Sequence, residues 1–369
     1  MLTSLPFFIT QAEEFVITWP TGIADYVMWI LGAFGVLACI DKIIEVLTEK
    51  HPLGLAPKFD DAFNAFLPLC VAMLGILCLA TIIADVLRPI LAPVLAIIGA
   101  DPGIIGGLIT AIDMGGYPIS KELATTPELG ILGGIIVGSM LGVNWVFNIP
   151  VGLSIIKKEH YEPFMRGVLA GLVTVPIGVI VGGIVLGIEM GTLLVNTIPV
   201  IALAVVVAIL LVVAPGFITK VFIWLGRIIL AISVTGIAMG IWFWLTGWMI
   251  PRFVPITPEN VMICGNICLV LTGAFTLVEI LQRYLRGAFA ALAKVFGTNA
   301  AGTIGFLATF ANNIAMFNMF DQMDDRGRIL NGAFQTGAAF SIADHLAFTM
   351  VFAPAAIPAL LAAKVTAGV

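Results

Sequence analysis

Long apolar runs separated by short polar stretches organise this chain. They lie near residues 23–45, 62–86, 129–156, 164–188, 192–215, 221–250, 260–282 and 329–353, and each supplies the roughly 20 residues that cross a bilayer as a helix. Eight continuous spans are predicted. Two further apolar stretches, 89–124 and 287–320, carry Pro, Gly, Asp and Asn in their middles. A helix facing lipid has no water to satisfy the backbone groups that such residues free. Each stretch is therefore predicted to be a re-entrant hairpin of broken helix that enters and leaves on one face.

Sliding the chain on itself gives an ungapped match at an offset of 198 residues. Leu87-Arg88 falls on Leu285-Arg286, Gly99 on Gly297, Gly107 on Gly305, Gly134 on Gly332 and, upstream, Gly75 on Gly273. Asp101-Pro102 and Thr298-Asn299 both read as helix starts, where a short polar side chain caps and Pro is tolerated. Both lead into a break, at Asp113-Met114-Gly115-Gly116 and at Asn312-Asn313. The predicted organisation is one transmembrane domain over residues 1–369. Repeat 1 covers 23–156, linking helices cover 157–220, and repeat 2 covers 221–354. Five crossings separate equivalent helices, so the repeats run oppositely through the membrane. Inverted repeats with paired discontinuous helices place substrate near the bilayer midplane in secondary transporters.

Charge sets the orientation. With the N-terminus outside, Lys42, Lys50, Lys58, Lys157, Lys158, Arg166, Lys220, Arg227, Arg283, Arg286, Lys294, Arg326 and Arg328 fall inside, and Arg88, Lys121, Arg252 and Lys364 fall outside. The first 22 residues have no basic region ahead of an apolar one, so they do not read as a cleaved signal peptide. Composition agrees: 60% hydrophobic and 11% charged residues exclude a soluble domain, which runs near a quarter charged. Net charge −5 without a basic block excludes nucleic acid as a partner. The fold class is all-α and polytopic: an inverted-repeat transporter with two broken hairpins and about 8–12 crossings. The five cysteines all sit in apolar runs and imply neither a disulfide framework nor a metal site.

Few polar residues lie at membrane depth, and those carry the chemistry. Asp113 sits at an unwound point, where burying a carboxylate costs about 2.5–3.5 kcal/mol unless it is paired or functional; a cationic substrate is its natural partner. Gly115 and Gly116 free the backbone for close approach, and Pro118 is read as the stop of the first half-helix. Ser120 and Glu122 read as the start of the returning half-helix, and Tyr117 offers a ring face to an ammonium ion. In the second half, Asn312 and Asn313 supply amides. Asp344 and His345 lie in the predicted span from Ala333 to Phe352 as an adjacent acid and imidazole, a cation-binding or proton-sensitive pair. Asn144, Asn148 and Gln335 supply further donors or hold helices together. The candidate substrate-binding set is Asp113, Gly115, Gly116, Tyr117, Glu122, Asn312, Asn313, Asp344 and His345, with no catalytic residue, metal or cofactor.

The strings Asp113 to Ala124, Gly138-Ser-Met-Leu-Gly142, Ala311 to Phe317, Gln322 to Gly327 and Asp344-His-Leu346 together resemble the ethanolamine-utilisation permease family, EutH. The resemblance departs at Ala343, where the family pattern has Gly. It covers nearly the whole chain and implies a permease of the bacterial cytoplasmic membrane that imports ethanolamine. Its partners would be ethanolamine and the lipid bilayer, with a homo-oligomer left open. Two other readings stay open at this stage: an ion-coupled symporter of another small amine, amino acid or carboxylate, and an intramembrane transferase holding Mg²⁺ on Asp321, Asp324 and Asp325. The transferase would want a second acidic cluster facing the first, and the sequence offers none.

Overall fold

A computed structural model describes residues 22–369, without the side chains of residues 286, 289, 290 and 292. The segment read against a signal peptide lies outside the described residues. The described chain is helical, and among the described residues seven helices are long and apolar enough to cross a membrane. It is a polytopic membrane protein.

Helix α1 (Ile23–Thr48) is followed by the short α2 (Ala56–Asn64) and the long α3 (Phe66–Ile98). The first hairpin comprises α4 (Ile105–Ile109) and α5 (Tyr117–Leu123). Four long helices follow: α6 (Pro127–Ile155), α7 (Lys158–Val185), α8 (Met190–Val213) and α9 (Pro215–Thr246). Then come α10 (Pro258–Tyr284), α11 (Arg286–Phe296), and the second hairpin, α12 (Ala300–Ala311) and α13 (Asn313–Asn318). The chain ends with α14 (Asp325–Ala338), α15 (Asp344–Phe352) and α16 (Ile357–Gly368).

The predicted span 329–353 is not continuous. Ala339 is extended, Phe340 has φ 60°, and the helix resumes only at Asp344. The break holds because its freed N–H groups have acceptors: Phe340 N donates to the Thr309 carbonyl at 3.0 Å and Ile342 N to the Phe310 carbonyl at 2.9 Å. Both carbonyls belong to the last turn of α12, where a helix leaves its C=O groups unpaired. Asp344 and His345 thus open a half-helix, where the end dipole favours a carboxylate, rather than lying mid-span.

Several local conformations recur at a spacing of 198 residues. Backbone φ is positive at Glu49 and Gly247, at Gly54 and Arg252, and at Gly99 and Gly297. Asp101 and Asn299 each cap a hairpin helix, accepting from Gly103 N and Gly302 N. Thr126 and Asp324 each cap the helix after it. Contacts recur with their partners exchanged. A Cβ on Gly35 would lie against Gly273, and one on Gly75 would collide with Ser233. Arg283 donates to the Gly54 carbonyl at 2.6 Å, and Arg252 pairs with Asp85.

Small residues make the closest crossings. A Cβ on Gly107 would lie 2.0 Å from the Gly133 carbonyl, and one on Gly167 would lie 2.3 Å from the Ile329 carbonyl. Lipid gives apolar helices no hydrophobic reason to associate, so this close backbone packing holds them.

Candidate functional site

The first break is built by its backbone. Helix α4 ends at Thr110, which is extended like Ala111. The Ala111 carbonyl then accepts from both Met114 N (3.1 Å) and Gly116 N (2.8 Å). Gly115 has φ 109°, a conformation that costs a residue with a Cβ about 1–2 kcal/mol. Gly116 has an ordinary helical φ and is required by space instead, since a Cβ there would lie 2.7 Å from the Ala111 carbonyl. The loosened end of α4 is satisfied from outside where Trp145 Nε1 donates to the Leu108 carbonyl at 2.9 Å, and within the break Thr110 Oγ1 donates to the Met114 carbonyl at 3.0 Å.

Pro118 does not stop the first half-helix. It lies in the opening turn of α5, where its missing N–H is no loss. The returning helix therefore starts at Tyr117, three residues before Ser120. Ser120 is buried mid-helix, and Glu122 is exposed near the far end with its carbonyl accepting from Arg88 at 2.6 Å. Neither caps the helix start. Tyr117 packs its ring edge-on against Phe348 and Phe352 of α15, with centroids 6.2 and 5.7 Å apart.

Asp113 faces Asp344 and His345. The three line one cavity of about 40 Å³ with Ala111, Met114, Val143, Phe147 and Phe340. Both carboxyl groups are half-buried against it, and His345 is buried. At about 10–15 Å³ per water, the cavity has room for roughly three water-sized groups. Its walls come from the break at 110–116, from Val143 and Phe147 of α6, and from Phe340 and the start of α15, so unwound backbone and acidic side chains converge from both halves of the chain.

Asn312 and Asn313 sit apart from that cavity. Asn312 caps α13, accepting from Ile314 N at 2.8 Å, and lines a separate polar recess with Lys58, Asp61 and Glu279. Asn313 is fully buried and gives its amide hydrogens to Asn148 Oδ1 at 2.8 Å and Gln335 Oε1 at 2.9 Å. Asn148 in turn donates to Asn144 Oδ1 at 3.0 Å, and Asn144 to the Thr336 carbonyl at 3.1 Å. This amide chain ties α6 to α13 and α14.

By charge bias Lys364 is expected among the outside charges. It is fully buried on α16, with Nζ donating to the Ser139 carbonyl at 2.8 Å and lying 3.1 Å from His345 Nδ1. Reading cations only for sidedness hid it. The available signal was its isolation: one charge in the otherwise apolar and small stretch Ile357–Gly368.

The acidic run 321–325 is occupied by structural partners. Asp321 pairs with Lys157 at 2.7 Å, Asp324 caps α14 and accepts from Thr298 Oγ1, and Asp325 pairs with Arg328 at 2.8 Å. Lys157 holds the Asp321 carboxyl below its ordinary range. Among the described residues, no group of three or more His, Cys, Asp or Glu is placed to hold a metal ion.

Residues 23–369 match the family model described as "Ethanolamine utilisation protein, EutH". A Listeria monocytogenes protein named "Probable ethanolamine permease EutH" is 38% identical over 348 residues, covering 94% of this chain and 92% of its own. An Escherichia coli protein of the same name is 35% identical over 381 residues, covering 94% and 93%. A Bacillus subtilis protein named "Uncharacterized protein YxeR" is 32% identical over 345 residues, covering 94% and 92%. No solved structure matches.

Proposed function

Because the chain belongs to the EutH family, we propose that it is a multi-pass permease of the bacterial cytoplasmic membrane that admits ethanolamine, as ethanolammonium, for its utilisation inside the cell. The observation that carries this reading is the cavity between Asp113 and Asp344. Two carboxylates facing a small chamber at membrane depth call for a compact cation, since each buried charge needs a partner. Ethanolammonium has four non-hydrogen atoms. A ceiling of about 1.5 kcal/mol per atom allows at most about 6 kcal/mol of binding, a dissociation constant of tens of micromolar or weaker.

The architecture we infer is an inverted repeat. Its support is the recurrence of caps and left-handed residues at 198, together with contacts in which the two copies exchange partners. Exchange of that kind is the pattern a twofold axis imposes on two copies of one unit. Substrate would pass between the breaks at 110–116 and 339–343, with the amide chain on Asn313 holding the second hairpin against α6.

The test is counterflow in proteoliposomes. Vesicles preloaded with unlabelled ethanolamine should accumulate external labelled ethanolamine transiently, and serine or acetate inside should not drive that accumulation. Equal counterflow from empty liposomes, or none from folded protein, would overturn the reading.

A further inference from the structure

Lys364 takes no part in the mechanism described so far, and its surroundings give it one. It reaches the core from α16 and is held from two sides, by the Ser139 carbonyl of α6 and by Nδ1 of His345 on α15. Held as an ammonium, the Lys364 head group has three donors and no acceptor, and the ring nitrogen that meets it then supplies a lone pair. A neutral imidazole carries one N–H. With Nδ1 accepting, the proton resides on Nε2.

His345 also forms part of the wall shared with Asp113 and Asp344. Since Nδ1 is engaged by Lys364, Nε2 is the polar atom the ring has left to offer, and it offers a hydrogen. The two carboxylates offer acceptors. A chamber with acceptors for an ammonium group and one donor suited to an oxygen lone pair is complementary to both ends of a short amino alcohol.

We propose that Lys364 is a positioning residue that determines specificity: it locks His345 in the Nε2–H tautomer, and that N–H recognises the substrate hydroxyl while Asp113 and Asp344 hold the ammonium group. The proposal rests on the permease reading and deepens it. It makes a discrimination that charge and size alone do not. 1-Aminopropane matches ethanolamine in non-hydrogen atom count and charge, with a methyl group in place of the hydroxyl, and its binding leaves the Nε2–H without an acceptor. A site built to hydrogen-bond a hydroxyl rejects the analogue that lacks it.

The experiment uses full-length protein labelled with ¹⁵N-histidine. The chain has three histidines, and replacing His51 and His160 by Gln assigns the signals of His345. We expect a protonated Nε2 and a bare Nδ1 in wild-type protein. Wild-type protein should bind ethanolammonium at least about tenfold more tightly than propylammonium, the effect of one good hydrogen bond. In Lys364→Met the nitrogen signals should shift towards a mixed tautomer and the preference should fall to about threefold or less; Lys364→Arg, which still donates, should recover part of both. A wild-type His345 protonated on Nδ1 overturns the proposal, as does a Lys364→Met protein with unchanged preference. Should Lys364→Met not fold, the wild-type tautomer and wild-type preference decide by themselves. Wild-type protein with Nε2–H that binds neither amine overturns the permease reading, and the hydroxyl assignment with it.

Discussion

Helix α6 and the pair α14–α15 start alike and finish differently. Thr126 and Asp324, 198 residues apart, cap them with the same kind of side-chain bond. Beyond that start, α6 runs on to Ile155 through widened π-helical turns at Leu132–Gly142 and Asn144–Asn148. Its counterpart stops at Ala338 and resumes at Asp344. The irregularity falls at equivalent positions, since 339–343 correspond to 141–145. A π-turn absorbs an extra residue while keeping every N–H inside the helix. A break releases them, and here the last carbonyls of α12 receive them. The difference separates two kinds of side chain. The continuous member carries amides that join helices, and the broken member carries an acid and an imidazole at an open helix start.

If that division of labour is right, the two sides respond differently to mutation. The largest effect should come from the broken side. Asp113→Asn or Asp344→Asn removes a carboxylate proposed to hold the amine, and uptake of labelled ethanolamine should fall roughly ten- to a hundredfold, as loss of a hydrogen bond to a charged group predicts. Quantified protein in the membrane should be unchanged. Undiminished uptake in Asp344→Asn would return the site to the first break alone.

An intermediate effect belongs to the continuous side. Asn148→Ala leaves the Asn313 amide short of an acceptor in a fully buried place, at a cost of about 1–3 kcal/mol. The detergent unfolding midpoint should drop by several degrees, with ethanolamine preference over propylamine retained in the protein that survives. A lost preference with no loss of stability would mean that the amides read substrate.

The smallest effect lies outside the membrane. Lys157 stabilises ionised Asp321, so the folded carboxyl titrates below the unfolded one. That stabilisation is present above the unfolded value of about 3.9 and disappears as pH falls through the lower folded value. Both partners are well exposed, so salt should weaken the pair. Asp321→Asn should lower the unfolding midpoint slightly at neutral pH, and the gap to wild type should close towards pH 3.

What the sequence disclosed and what it withheld divide along physical lines. Gly99 and Gly297, Asp101 and Asn299, and the break around Gly115 were readable because caps and left-handed turns are local chemistry written in a few residue types. The break after Ala338 was not. Ala339-Phe-Ser-Ile-Ala343 contains no Pro or Gly, and what opens it is the pair of carbonyls at Thr309 and Phe310, thirty residues upstream in the chain. The same tertiary folding turned Asp113 towards Asp344 and put Asn313 in an amide chain, although the repeat alone suggested that the two hairpin breaks would share a ligand. Asp344 and His345 were found as residues but not as the opening of a helix. Lys364 counted only as an outside charge because nothing before the fold says that α16 turns inward.

The small cavity has a consequence for the cell's economy of solutes. About 40 Å³, room for roughly three water-sized groups, is well short of a trimethylated ammonium compound or a long diamine. If this chamber is the transport site, its size would admit one small nutrient while larger cations stay on their own side of the membrane.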